Sequence, residues 1–221
     1  MIIALKLVVI AIIGYLLGSI PFGLIISRSI AHVDIRKFGS GNIGATNVFR
    51  TLGAKLAVIV ALLDLGKAAL AVGLGMLIIG NDPVIVFGYD IHMQAAQVLA
   101  ALVAIAGHNW SVFLKFKGGK GVATFMGGLF VINPLIALVG GITGVVIALV
   151  TKYVSLGSIL GSLVILLMIT AFAVLCFVAP IYIVYALIAV GFIIFQHRTN
   201  IQRLQAGTEL KLGTKGAKID I

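Results

Sequence analysis

Residues 122–150 read VATFMGGLFVINPLIALVGGITGVVIALV, and whether this stretch forms one helix or two decides the fold. As a single helix rising 1.5 Å per residue it would be about 44 Å long, well beyond a hydrocarbon core of about 30 Å. Asn133-Pro134 interrupts it. As two helices, each half is short for a full span.

The basic residues choose between these readings. Apolar runs lie at roughly 2–27, 56–80, 92–107, 122–132, 135–150, 154–178 and 180–196. Between and after them come Arg28, Arg36, Lys37, Arg50 and Lys55, then Lys115, Lys117 and Lys120, then Lys152, then Arg198, Arg203, Lys211, Lys215 and Lys218. With seven spans, all of these fall on one side. With 122–150 as a single span, the basic tail crosses to the other. The bias of Lys and Arg toward cytoplasmic loops favours seven. The expected fold is an all-α integral membrane protein of seven transmembrane helices, N-terminus outside and C-terminus cytoplasmic. Residues 1–221 form a single membrane-embedded domain, multi-pass in a cell's inner (plasma) membrane.

Composition closes off other classes. The 221 residues are 62% hydrophobic and 10% charged, with a mean hydropathy of +1.25. A soluble domain is about 45–50% apolar and about 25% charged. Soluble, disordered and nucleic-acid-binding chains are excluded, although the net charge is +10. In a membrane protein that charge points to orientation and to anionic ligands. Cys176 is the only cysteine, so no internal disulfide forms and no metal cluster is visible. The N-terminal segment lacks a small-residue cleavage site and reads as a retained first span. Small residues inside the spans (Gly73, Gly75, Gly127, Gly128, Gly140, Gly141, Gly144, Gly157, Gly161) predict close helix approach in lipid.

Three polar segments carry the chemistry. The first, residues 38–50, spells G-x-G-x-x-G at Gly39, Gly41 and Gly44. A dinucleotide site needs a strand before that motif and an acidic residue about 20 positions on; here a membrane helix and a basic stretch precede it. The glycines still allow an anion nest of backbone N–H groups. Ser40 offers a hydroxyl, and Arg50 a bidentate clamp for phosphate. The structural alternative is a loop with Asn42 or Thr46 as a helix cap. The second segment, residues 107–124, places Gly118, Gly119, Lys120 and Gly121 just before a helix start. It is not a Walker A motif, but free N–H groups beside an ammonium suit phosphate. Lys115 and Lys117 read as snorkelling residues, Trp110 and Phe113 as interfacial anchors. The third segment, residues 197–209, follows the last span. If the helix continues, His197 and Asn200 share a face. Asp64 and Lys67 sit inside the second span at helical spacing and read as a structural ion pair.

Together, Gly39-Ser40-Gly41-Asn42-Ile43-Gly44-Ala45-Thr46-Asn47 with Arg50, Gly107-His108 with Gly118-Gly119-Lys120-Gly121 and Ala123-Thr124, and His197-Arg198 with Asn200-Ile201, Gly207 and Glu209 resemble the bacterial acyl-phosphate:glycerol-3-phosphate acyltransferases, the PlsY family. The likeness runs over nearly the whole chain; Ala68, where the family often has glycine, is a small departure. The resemblance implies transfer of a fatty acyl group from acyl phosphate to the 1-hydroxyl of sn-glycerol 3-phosphate at the cytoplasmic boundary. The products are lysophosphatidic acid and phosphate. It places the catalytic group at His197, Ser40 and Asn200. Substrate contacts fall at Ser40, Gly41, Asn42, Arg50, His108, Gly118, Gly119, Lys120, Gly121 and Asn200. The implied partners are the two substrates and membrane lipid, with no cofactor, no metal and no nucleic acid; a monomer is compatible with all of this.

The residue chemistry agrees. Both reactants are phosphate anions, one carries a fatty tail, and an acyl phosphate is already activated. Positioning and charge stabilisation then matter more than a protein nucleophile. The expectation is direct transfer without an acyl-enzyme, with Ser40 as a donor and His197 or a substrate phosphate as the base. No histidine has Asp five residues on, so the His-x4-Asp pattern of another acyltransferase class is absent and an acyl-CoA donor is disfavoured. The rival class is an anion transporter, which needs its polar groups near the bilayer midplane rather than clustered at one boundary.

Overall fold

The computed structural model describes residues 2–86 and 88–213; Lys215 and Lys218 lie outside them. Helices α1 (Ile2–Ser19) and α2 (Phe22–Ala31) form one apolar column broken at Pro21, which lacks the N–H a continuous helix requires. Then come α3 (Ala45–Leu52), α4 (Ala54–Ile79), α5 (His92–Asn109), α6 (Val122–Ile132), α7 (Pro134–Thr151), α8 (Val154–Val174), α9 (Ile181–Gln196) and α10 (Arg198–Gln205). Between α4 and α5 a two-stranded antiparallel hairpin pairs β1 (Ile85–Val86) with β2 (Tyr89–Asp90). This hairpin is the one departure from an all-helical chain among the described residues.

The break at 133–134 has a local cause. Asn133 Oδ1 accepts the Ile136 N–H at 3.1 Å, and Pro134 takes the first helical position, where its missing N–H costs nothing. Five apolar helical stretches are long enough to cross a bilayer: residues 3–31, 54–79, 92–114, 134–151 and 154–174. Helix α9 continues into α10 only past a 58° bend. Helix α6, with 11 residues, is about 17 Å long and does not reach across the hydrocarbon by itself.

Large apolar residues face outward in helical register, including Leu5, Val8, Ile12 and Leu16 on α1 and Ile142, Val145, Val146 and Leu149 on α7. Water would penalise such a surface and lipid does not; the chain is an integral membrane protein. Inside, Ile10, Val72, Ile105, Phe125, Leu129 and Tyr185 build the core. The Tyr185 hydroxyl donates to the Phe125 carbonyl at 3.1 Å, satisfying a group that lipid-like surroundings cannot. Helices α7 and α8 cross where Gly140 and Gly144 meet Gly157 and Gly161, and the face of Gly127 lies on the Leu65 carbonyl of α4. Gly73 differs from the expectation: a side chain there would meet open space, so it is not at a helix crossing.

Candidate active site

The first polar segment is organised by a residue that its glycines hide. Asn47, on the first turn of α3, is buried. Its Nδ2 donates toward the Ile35, Phe38 and Asn42 carbonyls at 2.8–3.1 Å, and its Oδ1 accepts the Ser40 N–H at 2.8 Å. Gly39, at φ +54°, brings the backbone close enough that a Cβ would strike this same Oδ1. The Gly41 N–H bonds the Phe38 carbonyl, and the Gly44 N–H bonds Asn42 Oδ1 at 2.8 Å. The expected anion nest is therefore filled by the chain's own oxygens at Ser40, Gly41 and Gly44. Asn42 makes an Asx turn instead of capping a helix, and the α3 N-cap is Gly44 with no side-chain hydrogen bond.

In the second segment, the Gly118 N–H donates to the Asn109 carbonyl at 3.1 Å and the Gly119 N–H to the His108 carbonyl at 2.9 Å. These glycines fold the loop flat onto the end of α5. A Cβ on Gly119 would land on His108 Nε2. The following residue, Lys120, then emerges at the N-terminus of α6, where Gly121 is the cap and, among the described residues, no side chain bonds the free N–H groups. Such an end carries about half a positive charge.

The third segment does not continue as one helix. Gln196 ends α9, the chain bends at His197, and α10 begins at Arg198. The bend aims His197 and Asn200 into the molecule, where both are buried. His197 Nδ1 is 2.8 Å from the Ile193 carbonyl. A carbonyl only accepts, so Nδ1 carries the proton and Nε2 is left with its lone pair.

These segments enclose a cavity of about 400 Å³. Its wall includes Ser40, Asn42, Arg50, His108, Lys120, Gly121, His197 and Asn200. Gly41, Gly118 and Gly119 lie behind the wall. The cavity brings together side chains as far apart in the chain as Ser40 and Glu209. Lys120 Nζ donates to Asn200 Oδ1 at 2.5 Å, and Asn200 Nδ2 donates to Glu209 Oε1 at 2.6 Å. Glu209 also receives Ser155 Oγ and Arg203 Nε, both at 2.9 Å. Arg50 donates to the Leu210 carbonyl at 3.0 Å, while its buried Nε has no protein partner among the described residues.

The electrostatics follow from this packing. Burial, with Arg203 and Arg50 nearby, lowers Lys120 to about 8 despite the opposing charge of Glu209. Burial alone would raise Glu209, but hydrogen bonds from Asn200, Arg203 and Ser155 hold it below its ordinary value. Burial lowers Arg50 as well, yet a guanidinium stays charged. With Glu209 paired to Arg203 and Asp64 to Lys67, the charges of Arg50 and Lys120 leave the cavity attractive to an anion. Ser155 and Glu209 were not among the expected site residues. Glu209 stood in the third motif without a role assigned to it; for Ser155 the hint was the polar break at Thr151-Lys152-Tyr153.

Beside this cavity runs an apolar groove of about 230 Å³ between α6, α7 and α8. Val122, Val145, Val154 and Ser158 line both, so a charged chamber and a hydrocarbon one share a wall.

Comparison with known proteins agrees with this geometry. The family model described as glycerol-3-phosphate acyltransferase matches residues 8–207. Glycerol-3-phosphate acyltransferase 3 of Dehalococcoides mccartyi (strain CBDB1) is 45% identical, over 95% of this chain and 97% of its own. Glycerol-3-phosphate acyltransferase of Thermoanaerobacter sp. (strain X514) is 43% identical, over 93% and 95%. Two crystal structures of PlsY (YgiH), an integral membrane glycerol 3-phosphate acyltransferase, superpose over 94% of this chain and 96% of theirs at 36% identity. The glycerol 3-phosphate form gives a TM-score of 0.80 and the lysophosphatidic acid form 0.79. With its fold, its three polar segments and its relatives in agreement, the chain belongs to the glycerol-3-phosphate acyltransferase family.

Proposed function

We propose that this acyltransferase takes its acyl group from acyl phosphate and passes it directly to the 1-hydroxyl of sn-glycerol 3-phosphate. The observation that carries this reading is the junction of two chambers. Arg50, Lys120 and the α6 N-terminus offer positive charge to phosphate, and the adjoining groove offers hydrocarbon to a fatty chain.

In this reading the glycerol 1-hydroxyl oxygen attacks the acyl carbonyl carbon. The bond from that carbon to the phosphate oxygen breaks, and inorganic phosphate leaves. The hydroxyl proton passes to His197 Nε2, the acceptor lone pair left by the Ile193 contact, and from there to the departing phosphate. Lys120 and Arg50 hold the phosphoryl oxygens, and Asn200, fixed by Glu209, orients Lys120. Ser40 serves as a hydroxyl donor: among the described residues no histidine is hydrogen-bonded to it, as an activated serine requires. Such a site works through positioning and charge. Asn42 and His108 contribute polar contacts from the wall, and Gly41, Gly118, Gly119 and Gly121 shape the loops that carry them. The single domain works as a monomer without metal or cofactor.

Seven spans complete the proposal, with the N-terminus outside and the site at the cytoplasmic face of the inner membrane. The clustering of the basic loops around one cavity supports that orientation. Mass spectrometry of enzyme quenched during turnover tests the chemistry. The protein mass is expected to stay unchanged; an acyl adduct on Ser40 would overturn direct transfer.

A further inference from the structure

The buried ion pair of α4 is joined by a third member. Lys67 Nζ lies 2.7 Å from Asp64 Oδ1, 2.9 Å from the Ile20 carbonyl and 3.0 Å from His108 Nδ1. An ammonium has three hydrogens and no lone pair; here it is hydrogen-bonded to the Ile20 carbonyl and to His108 Nδ1 and ion-paired with Asp64. His108 Nδ1 is therefore the acceptor in its contact, and the neutral ring carries its proton on Nε2. His108 lines the cavity, Nε2 lies under Gly119, and no protein group among the described residues hydrogen-bonds to it.

We propose that Lys67 is a positioning residue that fixes His108 as an Nε2–H donor to a phosphoryl oxygen bound in the cavity. The identity of the anion rests on the acyl-transfer reading above; the tautomer does not. Remove the lysine and Nδ1 is left facing the Asp64 carboxylate, 3.6 Å away. A carboxylate only accepts, so the proton moves to Nδ1. Nε2 then turns a lone pair toward the phosphate and repels it. A residue that never touches substrate thus sets the sign of the ring's interaction with it. His197 has the opposite arrangement, with Nδ1 donating to a carbonyl and Nε2 accepting. The one cavity then holds a histidine donor and a histidine acceptor, each locked by a neighbour on its other nitrogen.

The test is nitrogen NMR of the full-length protein with labelled histidine, the His108 signals being assigned with His108→Gln. In the wild type, Nδ1 is expected in the unprotonated range and Nε2 in the protonated range, with Nε2 shifting as inorganic phosphate or glycerol 3-phosphate is added. Lys67→Met is expected to exchange the two assignments, and Lys67→Arg to preserve them. In kinetics, Lys67→Met raises KM for a phosphate substrate about tenfold or more, the cost of a lost charge-assisted contact. On the His108→Gln background it adds less than about twofold, because the two residues act as one unit. A wild-type ring protonated on Nδ1 or on both nitrogens overturns the proposal, as does a Lys67→Met effect undiminished by His108→Gln. If Lys67→Met does not fold, the wild-type spectrum and its phosphate titration decide alone. Wild-type protein without acyl transfer would defeat the functional reading, and the phosphate titration of Nε2 would still decide this one.

Discussion

Lys120 is the residue on which the charge of the site turns. Its ammonium is partly buried, bonded to Asn200, and lowered to about 8 chiefly by desolvation. A lowered lysine loses its proton as pH rises through that value, so the free enzyme binds anions below about 8 and releases that capacity above it. A bound phosphate favours the charged form and pushes the proton loss upward. The pH profile of kcat/KM for glycerol 3-phosphate is therefore expected to fall above about 8, while kcat holds to higher pH. Lys120→Arg, which does not deprotonate, should remove that basic limb even at reduced activity; a limb that persists unchanged assigns it elsewhere. Lys120→Met and Arg50→Ala each delete a charged contact to phosphate of about 1.5–3 kcal/mol. Each should lower kcat/KM by about tenfold to a hundredfold or more. Steady-state kinetics with either substrate varied would check this.

At the scale of elements, glycine placement separates packing from mere presence. A side chain at Gly127 would meet the backbone carbonyl of Leu65, which cannot yield, whereas one at Gly73 meets open space. Gly127→Val is expected to destabilise the α4–α6 crossing by about 1–3 kcal/mol. Gly73→Ala should be neutral or slightly stabilising through helix propensity. Thermal unfolding in detergent compares the two, and equal shifts would contradict the packing. Composition marks both glycines alike, and only the crossing geometry tells them apart. The same limit runs through the rest of the sequence reading. The 133–134 break was legible because proline and a capping asparagine act within four residues. The bend at His197 carries no proline or glycine to mark it, so the sequence left open whether the helix continues. Asn47 stood in the first motif without a role, because its four partners are backbone groups that any sequence supplies. Ser155 and Glu209 meet across 54 positions, a contact no local spacing announces. Ser40, Arg50 and Lys120 were legible because charge and glycine patterning at phosphate sites are local, whereas the roles of His197 and Asn200 rested on the family resemblance.

For the whole molecule, the account ties charge distribution to orientation. The cavity gathers its cations at one end of the bundle, and the same loops hold nearly all the basic residues. A reporter fused to the C-terminus is expected to be active in the cytoplasm, and one at the N-terminus on the opposite side. An extracellular C-terminal reporter would invert the arrangement and place the site away from cytoplasmic substrates. The short helix α6 is the element on which the parity of the span count depends. A tag inserted at 133–134 is expected to face the outside; a cytoplasmic tag there would remove α6 from the count, leaving six spans and placing the C-terminus outside.

The central claim is that phosphate-binding groups far apart in sequence and a lipid-facing groove form one acyl-transfer site. Purified protein supplied with synthetic acyl phosphate and glycerol 3-phosphate measures this directly, following phosphate and lysophosphatidic acid together. The account predicts one phosphate released for each lysophosphatidic acid formed, with both lost in Arg50→Ala and Lys120→Met. Lysophosphatidic acid formed without phosphate release, or unchanged in those variants, would contradict it.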